Sequence, residues 1–174
     1  MTESPIMYKT RRLQVRHLRD GDASEMASVY GDADAMRYVD DGDILTLDEC
    51  EAWVAKSLQN YARYGYGMSA VELADNGPVI GFIGGVHPNG QIDCEIKYAF
   101  RRDCWGLGYA TEAVCGMVAY LHDSLRIRHF VATIDPENSA SRRVLEKSGF
   151  AFSHNQLNAD GSITETLVLS YHRV

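Results

Sequence analysis

Long apolar runs are missing. The 174 residues contain no uninterrupted apolar stretch of about 18 residues, so no segment has the length of a membrane-spanning helix. Met1 to Arg12 is polar and lacks the apolar centre of a secretory signal, from which a cytoplasmic location is expected. Cysteine is sparse and dispersed. Cys50, Cys94, Cys104 and Cys115 show neither CxxC spacing nor a Cys/His cluster, so reduced thiols are expected, with no disulfide framework and no metal. Positive charge is in deficit too: the formal net charge of −7 opposes attraction to nucleic acid or to an anionic membrane and favours a cationic substrate. GxSxG, HExxH and GxxxxGKS/T are all absent, which removes the usual signals of serine hydrolases, zinc proteases and nucleotide triphosphatases.

What is present suffices for one domain. With 45% hydrophobic and 24% charged residues, the chain can bury a single good core, and it contains no internal repeat, low-complexity tract or linker. Residues 1–174 are therefore read as one unit. Asp32, Asp34, Asp40, Asp41 and Asp43 crowd one region, either as a lure for an ammonium group or as a solvated polar loop.

Leu13, Val15 and His17 alternate as a strand, and Asp22 with Glu25 makes a capping box for a helix ending near Gly31. Thr46 and Glu49 form a second box. Cys50, Trp53, Val54, Ser57, Leu58 and Tyr61 follow at helical spacing until Gly65 and Gly67 interrupt. Three strand patterns come next, Met68 to Leu73, Val79 to Val86 and Ile92 to Phe100, separated by Asp75-Asn76-Gly77-Pro78 and His87-Pro88-Asn89-Gly90. Ala110, Val114, Met117, Val118, Leu121 and Leu125 give about four helical turns one apolar face. Phe130 to Ile134 reads as a buried strand and Ser139 to Lys147 as a short helix. Phe150 to Ser153 and Thr164 to Ser170 form a last strand pair, joined through Asn158-Ala159-Asp160-Gly161. The order βααβββαβαββ fits an α/β fold with a mixed sheet and helices on both faces better than a doubly wound parallel sheet.

Two segments carry chemistry. Asp103-Cys104-Trp105-Gly106-Leu107-Gly108 lies after a strand and opens a helix, where backbone N–H groups and the helix dipole favour an anion. The dinucleotide-binding pattern fits poorly, because Thr111 stands where a third glycine belongs. About 25 residues past the first turn of that helix, Asn138 offers an amide and Ser141 a hydroxyl one turn later on the same side, ahead of Val144 to Phe150. Helix capping accounts for Asn138 equally well.

Together these motifs resemble the GNAT superfamily of N-acetyltransferases, most closely the branch holding the Rim-type ribosomal-protein alanine N-acetyltransferases. The likeness runs from Arg12 to about Tyr171 and takes in Arg12-Leu13, the Asp22 helix and Met36-Arg37-Tyr38. It implies a central, mostly antiparallel mixed sheet of about seven strands, splayed between the fourth and fifth. It also implies acetyl transfer from acetyl-CoA to a primary amine by direct attack in a ternary complex. The acceptor would be a peptide N-terminus or a small molecule, and the chain a monomer or homodimer.

By the same resemblance the cofactor lies on Tyr98, Ala99 and Phe100, on Gly106, Leu107, Gly108, Tyr109, Ala110 and Thr111, and on Asn138 and Ser141. Asp103 stands where the family often has Gln or Arg, with Arg101 and Arg102 just before it as substitute cations. Leu145 occupies the place of the Tyr that commonly protonates the leaving thiolate, which passes that task to Ser141 or water. Glu95 is the candidate general base, or else the partner of Lys97 in an ion pair. Tyr38, Trp53 and His87 are candidate acceptor contacts, within the regions Arg37 to Asp43, the second helix and the loop Asn155 to Ser162. A noncatalytic acyl-CoA-binding sensor is the alternative.

Overall fold

Branched and aromatic residues build eight strands in a computed structural model that describes residues 4–39, 42–74 and 76–172. They are β1 (Ile6–Lys9), β2 (Leu13–His17), β3 (Met68–Leu73), β4 (Val79–Val86), β5 (Cys94–Phe100), β6 (His129–Ile134), β7 (Ala151–Leu157) and β8 (Ile163–Ser170). The spatial order is β1-β2-β3-β4-β5-β6-β8-β7. Every neighbouring pair is antiparallel except β5 and β6. Parallel neighbours need a crossover, and α4 (Tyr109–Leu125) supplies it.

Helices cover both faces, as expected. Between the sheet and α4 with α5 (Ser139–Lys147) lies a core that includes Leu13, Val15, Ile83, Ile96, Met117, Leu121, Phe130 and Leu145. On the opposite face α1 (Ala23–Tyr30) and α3 (Leu47–Tyr64) bury Met26, Val29, Cys50 and Val54 against Met68, Ala70 and Phe82. The Thr46 box forms: Thr46 Oγ1 accepts from Glu49 N at 3.3 Å while Glu49 Oε2 accepts from Thr46 N at 2.7 Å. Gly65 ends α3 with φ +80°.

Three features differ from the sequence reading. The extra strand β1 has no alternation of its own and is held from afar: Tyr8 donates its phenol proton to the Ala113 carbonyl at 2.7 Å. That approach requires Gly116, where a Cβ would stand 2.4 Å from the Tyr8 ring. A short helix, α2 (Ala33–Met36), follows α1, with Asp32 as its cap. Asp22 does not cap α1 through its side chain. It accepts instead from Arg16 Nη1 and Nη2, at 2.7 and 3.0 Å, while Glu72 takes Arg16 Nε at 2.6 Å. Arg16 is only 3% exposed, because both faces of β2 are covered. Of the acidic run, Asp40 and Asp41 lie outside the described residues, as does Asp75 of the β3–β4 turn. Among the described residues no helix is long and apolar enough to cross a membrane, and no group of three or more His, Cys, Asp and Glu could hold a metal ion.

Candidate active site

β5 pairs with β4 from Gly81↔Phe100 to Val86↔Glu95, but with β6 only at Cys94↔Phe130 and Glu95↔Val131. From Ile96 onward the edge of β5 that faces β6 has no strand partner, and a cleft of about 510 Å³ opens beside it. Tyr98, Ala99 and Phe100 line one wall, the glycine turn and the first residues of α4 the next, and Asn138 and Ser141 a third. The two motifs thus meet in one cavity. Of the predicted cofactor residues, only Leu107 does not line it; its carbonyl accepts from Arg12 Nη1 at 2.9 Å. A hollow of similar volume lies over the Arg16 ion pairs, where the buried charges already satisfy one another.

The turn needs its glycines: Gly106 and Gly108 have φ of +72° and +81°. The amides of Gly108, Tyr109, Ala110 and Thr111 precede the first intrahelical bond, from Glu112 N to Gly108 O at 3.1 Å, so they and the helix dipole are available to an anion. Glu112 in the same turn would repel that anion. Arg12 neutralises it, donating from N and Nε at 2.9 and 2.6 Å, and Thr10 Oγ1 adds a third bond at 2.6 Å. Burial pushes the Glu112 carboxyl up, but these donors outweigh it and hold its pKa below the ordinary value. The Arg12 guanidinium also sits 4.5 Å over the Tyr109 ring. In the sequence Arg12 stands out only within the Arg12-Leu13 likeness, which gives it no role; its partner lies 100 residues away.

Charge in the cleft is opposite in sign to that of the whole chain. Arg37, Arg102, Arg143 and Lys147 line it against a single acid, Asp34. Arg102 bridges to Asp32 at 2.9 Å and Asp34 at 2.5 Å, and Arg101 is engaged by Asp103 at 2.7 Å. Asp32 and Asp34 are therefore occupied by arginine. Arg143 and Lys147 form no ion pair among the described residues.

Asn138 caps α5 by accepting from Ser141 N at 3.0 Å, and the Ser141 hydroxyl lies 2.7 Å from Tyr98 Oη. Burial pushes the Tyr98 phenol up to about 12, with the Ser141 hydrogen bond opposing it. Leu145, one turn on, is fully buried in the core. Arg142 pins α5 to β8 through Glu165 at 2.6 Å.

The remaining predicted residues divide. Tyr38 lines the cleft. Glu95 lies at the closed end of the splay, 4% exposed, accepting from Thr133 Oγ1 at 2.6 Å and Gln91 Nε2 at 3.1 Å, with Lys97 Nζ at 4.0 Å. Trp53 packs on Tyr30, ring centroids 5.9 Å apart. His87 bonds Tyr66 Oη at 2.7 Å and stacks near Tyr64 at 4.8 Å. None of Glu95, Trp53 and His87 lines the cleft. One contact that the motifs did not signal closes the mouth end of β5: Trp105 Nε1 donates to the Phe100 carbonyl at 2.8 Å.

Residues 12–151 match the acetyltransferase (GNAT) domain family. The chain belongs to the GNAT acetyltransferases. This acetyltransferase is 32% identical over 147 residues to the YkkB protein of Bacillus subtilis (strain 168), covering 83% of this chain and 84% of that one. Its fold resembles that of a GNAT-family acetyltransferase from Bacillus anthracis, with a TM-score of 0.81 at 23% identity, covering 93% and 96% of the two chains. It also resembles RimL, a ribosomal L7/L12 alpha-N-protein acetyltransferase solved in complex with coenzyme A, with a TM-score of 0.80 at 16% identity and coverage of 95% and 98%. With the two solved proteins the acetyltransferase shares its fold, in which a mixed, mostly antiparallel open sheet holds the cleft.

Proposed function

We propose that this acetyltransferase moves the acetyl group of acetyl-CoA to a primary amine, on a peptide N-terminus or a small molecule, by direct attack within a ternary complex. One observation carries the reading: an anion-receptive glycine turn and an unpartnered strand edge share one cationic cleft. When bound, acetyl-CoA supplies an activated thioester. The amides of Gly108 to Thr111 receive its pyrophosphate, and Arg143 and Lys147 offer charge to its remaining phosphate. The edge of Tyr98 to Phe100, which lacks a strand partner although Trp105 holds the Phe100 carbonyl, takes the pantetheine arm as an added strand. RimL, a fold neighbour, was solved with coenzyme A, which supports this assignment.

The acceptor enters past Tyr38 and the α2 segment. Glu95, buried behind the cleft wall and reached through water, accepts the proton that the attacking amine releases. An α-amine, with a pKa of about 7.7 to 8.0, asks less of this base than a lysine amine near 10.4. Ser141 donates to the departing sulfur; a thiol with a pKa of about 8.5 leaves readily, so Leu145 in place of a phenol is compatible with turnover. Alignment of thioester and amine carries most of the acceleration.

Thiol release from acetyl-CoA, measured against Ala- and Ser-starting peptides, polyamines, aminoglycosides and amino acids, tests the proposal. A strong responder identifies the acceptor class, and Gly108→Glu should abolish that turnover by placing a carboxylate in the turn. Retained turnover in Gly108→Glu would refute the cofactor assignment. Silence across the panel, with acetyl-CoA still raising the Tm, would favour the acyl-CoA sensor that Leu145 also permits.

A further inference from the structure

We propose that Tyr98 is a positioning residue: its phenol occupies a lone pair of Ser141 Oγ and so directs the single Ser141 hydroxyl proton at the sulfur of bound coenzyme A. This assignment rests on the acetyl-transfer reading above and supplies what Leu145 cannot. The two oxygens are 2.7 Å apart, whereas the Ser141 carbonyl lies 3.4 Å from the same phenol. A phenol is a more acidic hydroxyl than that of serine, so it is the better donor in the shorter bond. Burial keeps it protonated through neutral pH. With Tyr98 donating, the Ser141 proton has no protein acceptor among the described residues and is offered to the cleft that both side chains line.

Everything around that hydroxyl is fixed. The Asn138 cap holds the Ser141 backbone at 3.0 Å, the Arg142–Glu165 pair anchors the next residue at 2.6 Å, and Tyr98 stands on a central strand. Only the Ser141 hydroxyl rotor is left to be set, and Tyr98 sets it. During transfer the amine lone pair forms the C–N bond and the C–S bond breaks with its electron pair left on sulfur. The amine's proton goes to Glu95 or water. The thiolate accepts the Ser141 hydrogen bond, which strengthens as charge accumulates, and later takes a proton from solvent.

The test needs no acceptor. The thiol of coenzyme A bound to the intact protein is titrated through its thiolate absorbance, and desulfo-coenzyme A serves as a probe that lacks the sulfur. Arg37, Arg102, Arg143, Lys147 and Asp34 on the cleft wall, and Glu95 and Lys97 on β5, also act on a bound thiol. That background is common to variants that differ only at the two hydroxyls. Tyr98→Phe should cut the preference for thiolate over thiol about tenfold and leave desulfo-coenzyme A affinity unchanged. Ser141→Ala should do the same, and the double variant should lose no more than Ser141→Ala alone.

A Tyr98→Phe titration identical to wild type, while Ser141→Ala shifts, overturns the positioning role and spares the acetyl-transfer reading. Equal losses for both probes in Tyr98→Phe, or additive losses in the double variant, overturn it as well by making Tyr98 merely structural. No shift in Ser141→Ala removes Ser141 from the mechanism and Tyr98 with it. Failure of wild type to bind either probe defeats the cofactor reading itself.

Discussion

At the scale of single residues, Arg12 shows how a distant side chain makes a motif work. A carboxylate in the first turn of α4 favours the helix dipole but opposes a phosphate, and Arg12 resolves the conflict by pairing with Glu112 and tying down the Leu107 carbonyl. Arg12→Ala should weaken coenzyme A binding about tenfold, as calorimetry would read, although Arg12 does not line the cleft. His17 gives a pH prediction of definite sign. Stacked 3.9 Å from Tyr61, it has a pKa lowered by burial, so the unfolded chain takes up the proton first. The stability it contributes is complete above about pH 6.5 and is lost as pH falls through the folded value. Wild type should therefore lose Tm between about pH 7 and 5.5, and His17→Phe, which keeps a ring in the stack, should lose less. Gly106, Gly108, Asn138 and Ser141 were legible because local backbone chemistry dictates them. Arg12 and Tyr98 act through partners 100 and 43 residues away, a separation that no local pattern encodes.

At the scale of elements, two helix caps of similar chemistry serve different ends. Thr46 caps α3 and does not line the cleft, whereas Asn138 caps α5 and does. Thr46→Ala and Asn138→Ala should each cost about 1 kcal/mol, a Tm drop of roughly 2–4 °C in calorimetry. Only Asn138→Ala should also lower kcat/KM, because it releases Ser141. Periodicity and turn or cap chemistry located α1, α3, α4 and α5 and seven of the eight strands; all of these but the fully exposed β7 present an apolar face to one of the two cores. It passed over β1, a four-residue strand held by its ladder to β2, by Met7 in the core and by the Tyr8 phenol bonded to α4, and the four-residue α2, too short to show a period.

At the scale of the whole molecule, the charge that matters most for folding is buried. Arg16 lies between Asp22 and Glu72 under the α1 face, and removing the guanidinium leaves two buried carboxylates without it. Arg16→Met should destabilise the protein by about 3–5 kcal/mol, seen in urea unfolding as a lower midpoint with an unchanged slope. Alternation along β2 pointed Arg16 outward, because the sequence does not say that a second layer of helices covers that face. Fold class was legible because the element order leaves few ways to bury both sheet faces. The splay was legible only through the family likeness.

That splay leaves the eight-stranded sheet as two rafts, β1 to β5 and β6 with β8 and β7, whose backbones are joined by two register pairs. A pantetheine arm laid along β5 would act as a clasp between them, so that loading the donor stiffens the raft it scarcely touches. Backbone amides of β6 and β8 should then exchange with deuterium more slowly once coenzyme A is added, and an acceptor arriving first would meet a looser frame than one arriving second.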